Sequence, residues 1–119
     1  MSARAAGFVV RLTRAFFYSM QGLRAALRTQ LSLRLELVIL AAAIPAAWSL
    51  KTTAVERALL IGCWMLVIVF EMINSAIETV VDRIGMETSE LSGRAKDMGS
   101  AAVFCAIVLA GTVWLILLS

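Results

Sequence analysis

Histidine is absent from the 119 residues, and the two cysteines, Cys63 and Cys105, stand alone in long apolar runs. Without imidazole or paired thiolates the chain has no zinc site and no Ser-His or Cys-His nucleophile system. Both cysteines read as small apolar side chains in packed helices. Charge is scarce as well: Asp, Glu, Lys and Arg make up 16% of the chain, against 61% apolar residues. A soluble fold of this length would leave much of that apolar surface in water. Chemistry must therefore come from carboxylates, amides, hydroxyls and Lys or Arg, in a chain whose natural solvent is lipid. Nothing in the sequence calls for a nucleic-acid partner.

A bilayer core about 30 Å thick needs roughly 20 apolar residues per helical span, so three spans use nearly the whole chain. The expected architecture is a single all-α integral membrane domain over 1–119, with an N-terminal surface helix at about 8–28 and spans at about 31–50, 55–83 and 97–118. In the first segment Phe8, Leu12, Phe16, Met20, Leu23 and Leu27 form an apolar stripe, with Arg11, Arg14, Tyr18, Gln21, Arg24 and Arg28 on the polar side, as in a helix lying in the membrane surface. Pro45, the only proline, predicts a kink in the first span. Residues 85–97 read as a polar loop. Ala102, Ala106 and Ala110 recur every fourth residue and would let another helix approach the last span closely.

Of the eleven Lys and Arg residues, only Lys51 and Arg57 fall between the first and second spans. The positive-inside rule then puts the N-terminus and the 85–97 segment in the cytoplasm. The arginines at 4, 11, 14, 24 and 28 interrupt any signal-peptide pattern, so the N-terminus is expected to stay in the mature protein.

The second span changes character halfway. Glu71, Asn74, Ser75, Glu78 and Asp82 fall within about 60° of one line at 100° per residue. An ionisable group at membrane depth costs at least about 2.5 kcal/mol, and such a stripe points to function rather than to packing. The segment after it brings Lys96, Asp97 and Ser100 level with the polar end of the stripe. Carboxylates facing the cytoplasm suit Mg²⁺ carried on nucleotide phosphates, and Lys96 and Arg11 would offset phosphate charge. That combination points to phosphoryl transfer. Neither a Walker loop nor a kinase Gly-rich loop is present, so any ATP site is of another design.

The stretches Glu71-Met-Ile-Asn-Ser-Ala-Ile-Glu-Thr-Val-Val-Asp-Arg-Ile-Gly85 and Glu90-Leu-Ser-Gly-Arg-Ala-Lys-Asp-Met-Gly-Ser-Ala-Ala102 closely resemble the signature segments of the small bacterial diacylglycerol kinases. Tyr18-Ser19 and Gly22-Leu-Arg-Ala-Ala26 extend the likeness over nearly the full chain. The undecaprenol kinases share the Glu-x-x-Asn-x-x-x-Glu spacing, but Ser-Gly-Arg-Ala-Lys-Asp-Met-Gly-Ser is similar to the diacylglycerol branch.

The resemblance implies a homotrimer in the bacterial inner membrane, with composite sites between subunits that use MgATP to phosphorylate diacylglycerol. It implies Glu71 as the general base and Glu78 as a metal ligand. Arg11, Tyr18, Asn74, Glu78, Glu87, Lys96 and Asp97 would contact the nucleotide, and Arg11, Ser19, Arg24, Glu71 and Ser100 the lipid. One position departs from the family: its second metal-binding glutamate is here Gln30. Glu36 lies about 9 Å further along the same helix and about 120° round it, so it does not share that face. Two other classes remain open on the residues alone: a small transporter that relays protons or a cation through Glu71 and Glu78, and a noncatalytic membrane subunit.

Overall fold

The computed structural model describes residues 2–51, 53–85 and 89–119, and among these every regular element is an α-helix. The chain divides into two compact units, Met1–Leu31 and Ser32–Ser119.

The first unit is essentially one helix, α1 (Ala3–Thr29). Ser2 caps it by accepting a hydrogen bond from the Ala5 N–H at 3.1 Å, and Arg28 lies in the last turn, where a cation complements the helix dipole. Gln30 ends the helix in extended backbone while its N–H still donates to the Ala26 carbonyl at 2.9 Å.

The second unit holds α2 (Leu31–Leu50, whose first residue closes the first unit), α3 (Ala54–Ile84) and α4 (Glu90–Leu118). All three are long and apolar enough to cross a membrane. The protein is thus a multi-pass membrane protein. α2 runs as continuous helix through Pro45. At its far end Arg57 takes up carbonyls that the last turn leaves unpaired: its Nε donates to Lys51 O at 2.8 Å and an Nη to Trp48 O at 3.3 Å, with the guanidinium 4.0 Å above the Trp48 ring.

The start of α4 corrects the expected loop. Helix begins at Glu90, so only the first part of 85–97 connects α3 to α4, and residues 86–88 lie outside the described ones. Ser89 caps it and Glu90 stands in the first turn, paired with Arg94 one turn on at 3.4 Å. A polar, charged heptad is compatible with helix when its cap and dipole are satisfied; polarity alone had suggested a loop.

α3 and α4 pack against each other around Cys63, Val67, Ala106 and Ala110, with Trp64, Phe70, Val113 and Trp114 at the margin. The alanine repeat on α4 does what small residues do in membranes, letting two backbones approach. Trp114 Nε1 closes the seam by donating to Leu60 O at 3.1 Å. Cys63 is buried there, as expected, and Cys105 lies exposed on α4. α2 is tied to α3 by Trp64, whose indole N–H donates to the Glu36 carbonyl at 2.7 Å. An apolar groove of about 420 Å³ runs past Ala43, Ala46, Trp64, Ala110 and Trp114. It holds no charged group.

Candidate active site

The polar stripe of α3 is graded in burial. Glu71, Asn74 and Ser75 are buried, Glu78 is half-buried and Asp82 is exposed. Two helical turns, about 10.5 Å, separate Glu71 from Glu78.

Each level of the stripe has its own partners. At the deep end the Ser32 hydroxyl on α2 donates to Glu71 Oε1 at 3.0 Å. Glu36 lies one turn further along α2 from Ser32. Glu36 is itself buried, and its Oε2 has no partner. In the middle, Asn74 Nδ2 donates to Glu78 Oε1 at 3.3 Å, which aims that carboxylate along the stripe. Asn74 Oδ1 is buried without a partner against Gly99 of α4, where a β-carbon would run into it. Glycine at 99 is therefore what lets α4 close over Asn74. At the water-exposed end Lys96 Nζ bonds Asp82 Oδ1 at 2.7 Å and ties the start of α4 to the end of α3. Both partners are largely exposed, so the pair itself adds little stability.

Of the residues expected at the site, Glu71, Asn74, Glu78 and Lys96 thus lie along one α3–α4 face, and Asp97 and Ser100 follow on α4 as exposed side chains. Glu87 lies outside the described residues. Arg11, Tyr18, Ser19 and Arg24 are exposed on α1; Arg11 and Tyr18, seven residues apart, share a face, and the Ser19 hydroxyl donates to its own helix at Ala15 O, 2.8 Å. Gln30 is half-buried in extended backbone between α1 and α2, so it is not on one helix with Glu36, and the helical spacing expected between the two does not hold.

Two contributors escaped the sequence reading, Ser32 and Gly99, and Glu36, buried in α2, entered it only as a stand-in for Gln30. Glu36 carried a signal, since it is ionisable and sits in an apolar helix, the argument that singled out α3. Ser32 and Gly99 carried none, because their roles arise from contacts between helices.

No group of three or more acidic, His or Cys side chains that could hold a metal alone exists among the described residues. Mg²⁺ of the nucleotide-borne kind keeps waters and phosphate oxygens and takes only one or two protein carboxylates. A half-buried Glu78 supported by an amide donor fits such a role.

Residues 17–118 match the family described as prokaryotic diacylglycerol kinase. The chain is similar to the diacylglycerol kinase of Escherichia coli strain K12, 51% identical over 119 residues that cover 99% of this chain and 96% of the relative. The Haemophilus influenzae diacylglycerol kinase is 48% identical over 97 residues, 82% of each chain. That of Pseudomonas aeruginosa is 40% identical over 104 residues, covering 87% of this chain and 85% of the relative.

Proposed function

We propose, from the premise that the chain belongs to the prokaryotic diacylglycerol kinase family, a division of labour along the graded α3 stripe. The enzyme is a membrane kinase that phosphorylates diacylglycerol. Glu71 is the base: it removes the proton from the free lipid hydroxyl as the oxygen attacks the γ-phosphorus of ATP. The bond from that phosphorus to the β-phosphate oxygen breaks, and phosphatidic acid and ADP leave. Glu78 and Gln30 would hold Mg²⁺, which supplies charge neutralisation to the phosphates. Asn74 fixes the Glu78 carboxylate, and Lys96 and Asp97 stand where the nucleotide meets water. By the family resemblance, Arg11, Tyr18 and Glu87 would also contact the nucleotide, and Ser19, Arg24 and Ser100 the lipid headgroup.

The observation that supports this reading is the burial gradient, with the Glu71 carboxylate buried in the span and the Glu78 carboxylate half-buried two turns along the same stripe. The same proposal places the protein in the bacterial inner membrane with a cytoplasmic N-terminus, α1 in the membrane surface, and three copies sharing their sites. Basic residues gathered on one side support the orientation. The trimer rests on the family resemblance and is tested by cross-linking in native membranes.

Purified protein in mixed micelles, offered diacylglycerol and undecaprenol side by side with labelled ATP, tests the reaction. Label should appear in phosphatidic acid. Label chiefly in undecaprenyl phosphate would move the chain to the other lipid-kinase branch, and proton or cation flux without ATP turnover would make it a transporter.

Two expected results probe the middle of the site. Gly99→Ala should force the Asn74 amide aside and loosen its bond to Glu78, lowering turnover by roughly tenfold, since small misplacements at a reacting centre are costly. Helical content by circular dichroism should be unchanged, because alanine favours helix. Gln30→Glu should restore a charged ligand and lower the Mg²⁺ concentration needed for half-maximal activity. An unshifted Mg²⁺ titration would remove residue 30 from the metal site.

A further inference from the structure

A hydroxyl side chain inside a helix commonly donates to a carbonyl one turn back in the same helix. Thr13, Ser19, Thr29, Ser49, Thr79 and Thr112 all do so here, each to the carbonyl four residues back at 2.8–2.9 Å. Ser32 departs from that habit. Of the hydroxyl hydrogen bonds among the described residues, its alone crosses to another helix, where Glu71 Oε1 accepts at 3.0 Å.

The reason lies in its position. α2 begins at Leu31, so Ser32 stands in the first turn and has no earlier turn of α2 behind it to take its proton. The donor is left for whatever packs alongside, and what docks there is the buried carboxylate of the α3 stripe. A first turn is also the positive end of the helix dipole, which suits an anionic partner.

A second contact holds the two helices at this register. Ser32 and Glu36 are one turn apart on α2, and Trp64 and Glu71 are two turns apart on α3. The Trp64 indole N–H donates to the Glu36 carbonyl at 2.7 Å, so α2 is tied to α3 through its backbone as well as through the Ser32 hydroxyl. The terminal torsion of a glutamate is broad and roughly two-fold, and a carboxylate without a fixed donor turns about it. With Oε1 held, Oε2 is the oxygen left to accept a proton.

We propose that Ser32 is a positioning residue for the Glu71 base: its hydroxyl holds Oε1, so that the carboxylate keeps one orientation and presents Oε2 to the lipid hydroxyl. This deepens the reading of Glu71 as base and rests on it. Ser32 transfers no proton in the reaction. Its hydrogen stays on its own oxygen, while Oε2 takes the proton that the lipid oxygen gives up as it attacks phosphorus.

Kinetics in mixed micelles compare wild type with Ser32→Ala, Ser32→Thr and Ser32→Val. Ser32 is exposed, so an added methyl group is accommodated, and threonine and valine share a branched shape that differs only in the hydroxyl. Loss of one hydrogen bond to a charged group should lower kcat about tenfold in Ser32→Ala and Ser32→Val, with KM for ATP within about twofold of wild type. Ser32→Thr, which restores the donor, should keep at least about half of wild-type kcat. If threonine falls as far as valine, or if valine keeps wild-type kcat, the hydroxyl does not position the base and the proposal is wrong. A raised KM for ATP with kcat unchanged overturns it equally, since the contact would then serve nucleotide binding.

A double-mutant cycle shows whether Ser32 acts through Glu71. In Glu71→Gln the base is gone, so adding Ser32→Ala should change kcat by less than about twofold, and a further loss of about tenfold there would mean that Ser32 acts through another group. Failure of the base reading looks different. A Glu71→Gln enzyme that keeps more than about a tenth of wild-type turnover removes Glu71 as base and the Ser32 proposal with it. Failure of Ser32 alone leaves Glu71→Gln inactive and Ser32→Val unimpaired.

Discussion

Glu71→Gln should lower turnover at least about a hundredfold, equivalent to about 2.7 kcal/mol of transition-state stabilisation. Glutamine preserves the shape and still accepts the Ser32 hydrogen bond at Oε1, 3.0 Å in the native protein, so the fold should survive. What it cannot do is take a proton from the lipid hydroxyl. Affinity for ATP should change little, because the nucleotide is assigned to the other end of the stripe, two turns away. The measurement is kcat and KM for each substrate with phosphate transfer followed by labelled ATP, beside a thermal unfolding curve of the variant. A variant that stays folded and keeps more than a tenth of wild-type turnover would show that another group acts as base.

Glu78→Ala should be more damaging still, lowering activity by at least about a thousandfold at every Mg²⁺ concentration. Half-buried Glu78 is the carboxylate that Asn74 Nδ2 holds at 3.3 Å, and its removal both deletes a metal ligand and leaves that amide donor without its acceptor. Excess Mg²⁺ should not rescue the variant, since a missing ligand is not replaced by mass action. Glu78→Asp, which keeps the charge on a shorter arm, should recover part of the activity at raised Mg²⁺. Activity in Glu78→Ala with an unchanged Mg²⁺ dependence would mean that the metal is held elsewhere.

These predictions draw on residues whose roles were legible to different degrees. The α3 stripe was visible because a helix repeats with a fixed period, so Glu71, Asn74, Glu78 and Asp82 share a face whatever packs against them. The alanine repeat of α4 was visible for the same reason, and Ala106 and Ala110 are indeed buried in the α3–α4 seam. The segment from Glu90 to Asp97 was misread as loop because its polarity resembles a connection, although Ser89 and Glu90 are good helix-starting residues. Lys96 was placed near the phosphates from its charge, yet its partner in the folded chain, Asp82 at 2.7 Å, could not be foreseen from a difference of fourteen residues.

The sequence by itself determined the solvent and the reaction class. Apolar runs of span length require a bilayer, an acidic stripe inside one of them requires a use, and long ungapped motifs identify the family. Tertiary structure alone decided how the acidic residues are partnered. Periodicity states which side chains share a face of one helix, but the rotation and axial offset of one helix against another are set by how their surfaces interlock. Hence Ser32 meets Glu71, and Gly99 admits the Asn74 side chain, only once α2 and α4 have docked on α3.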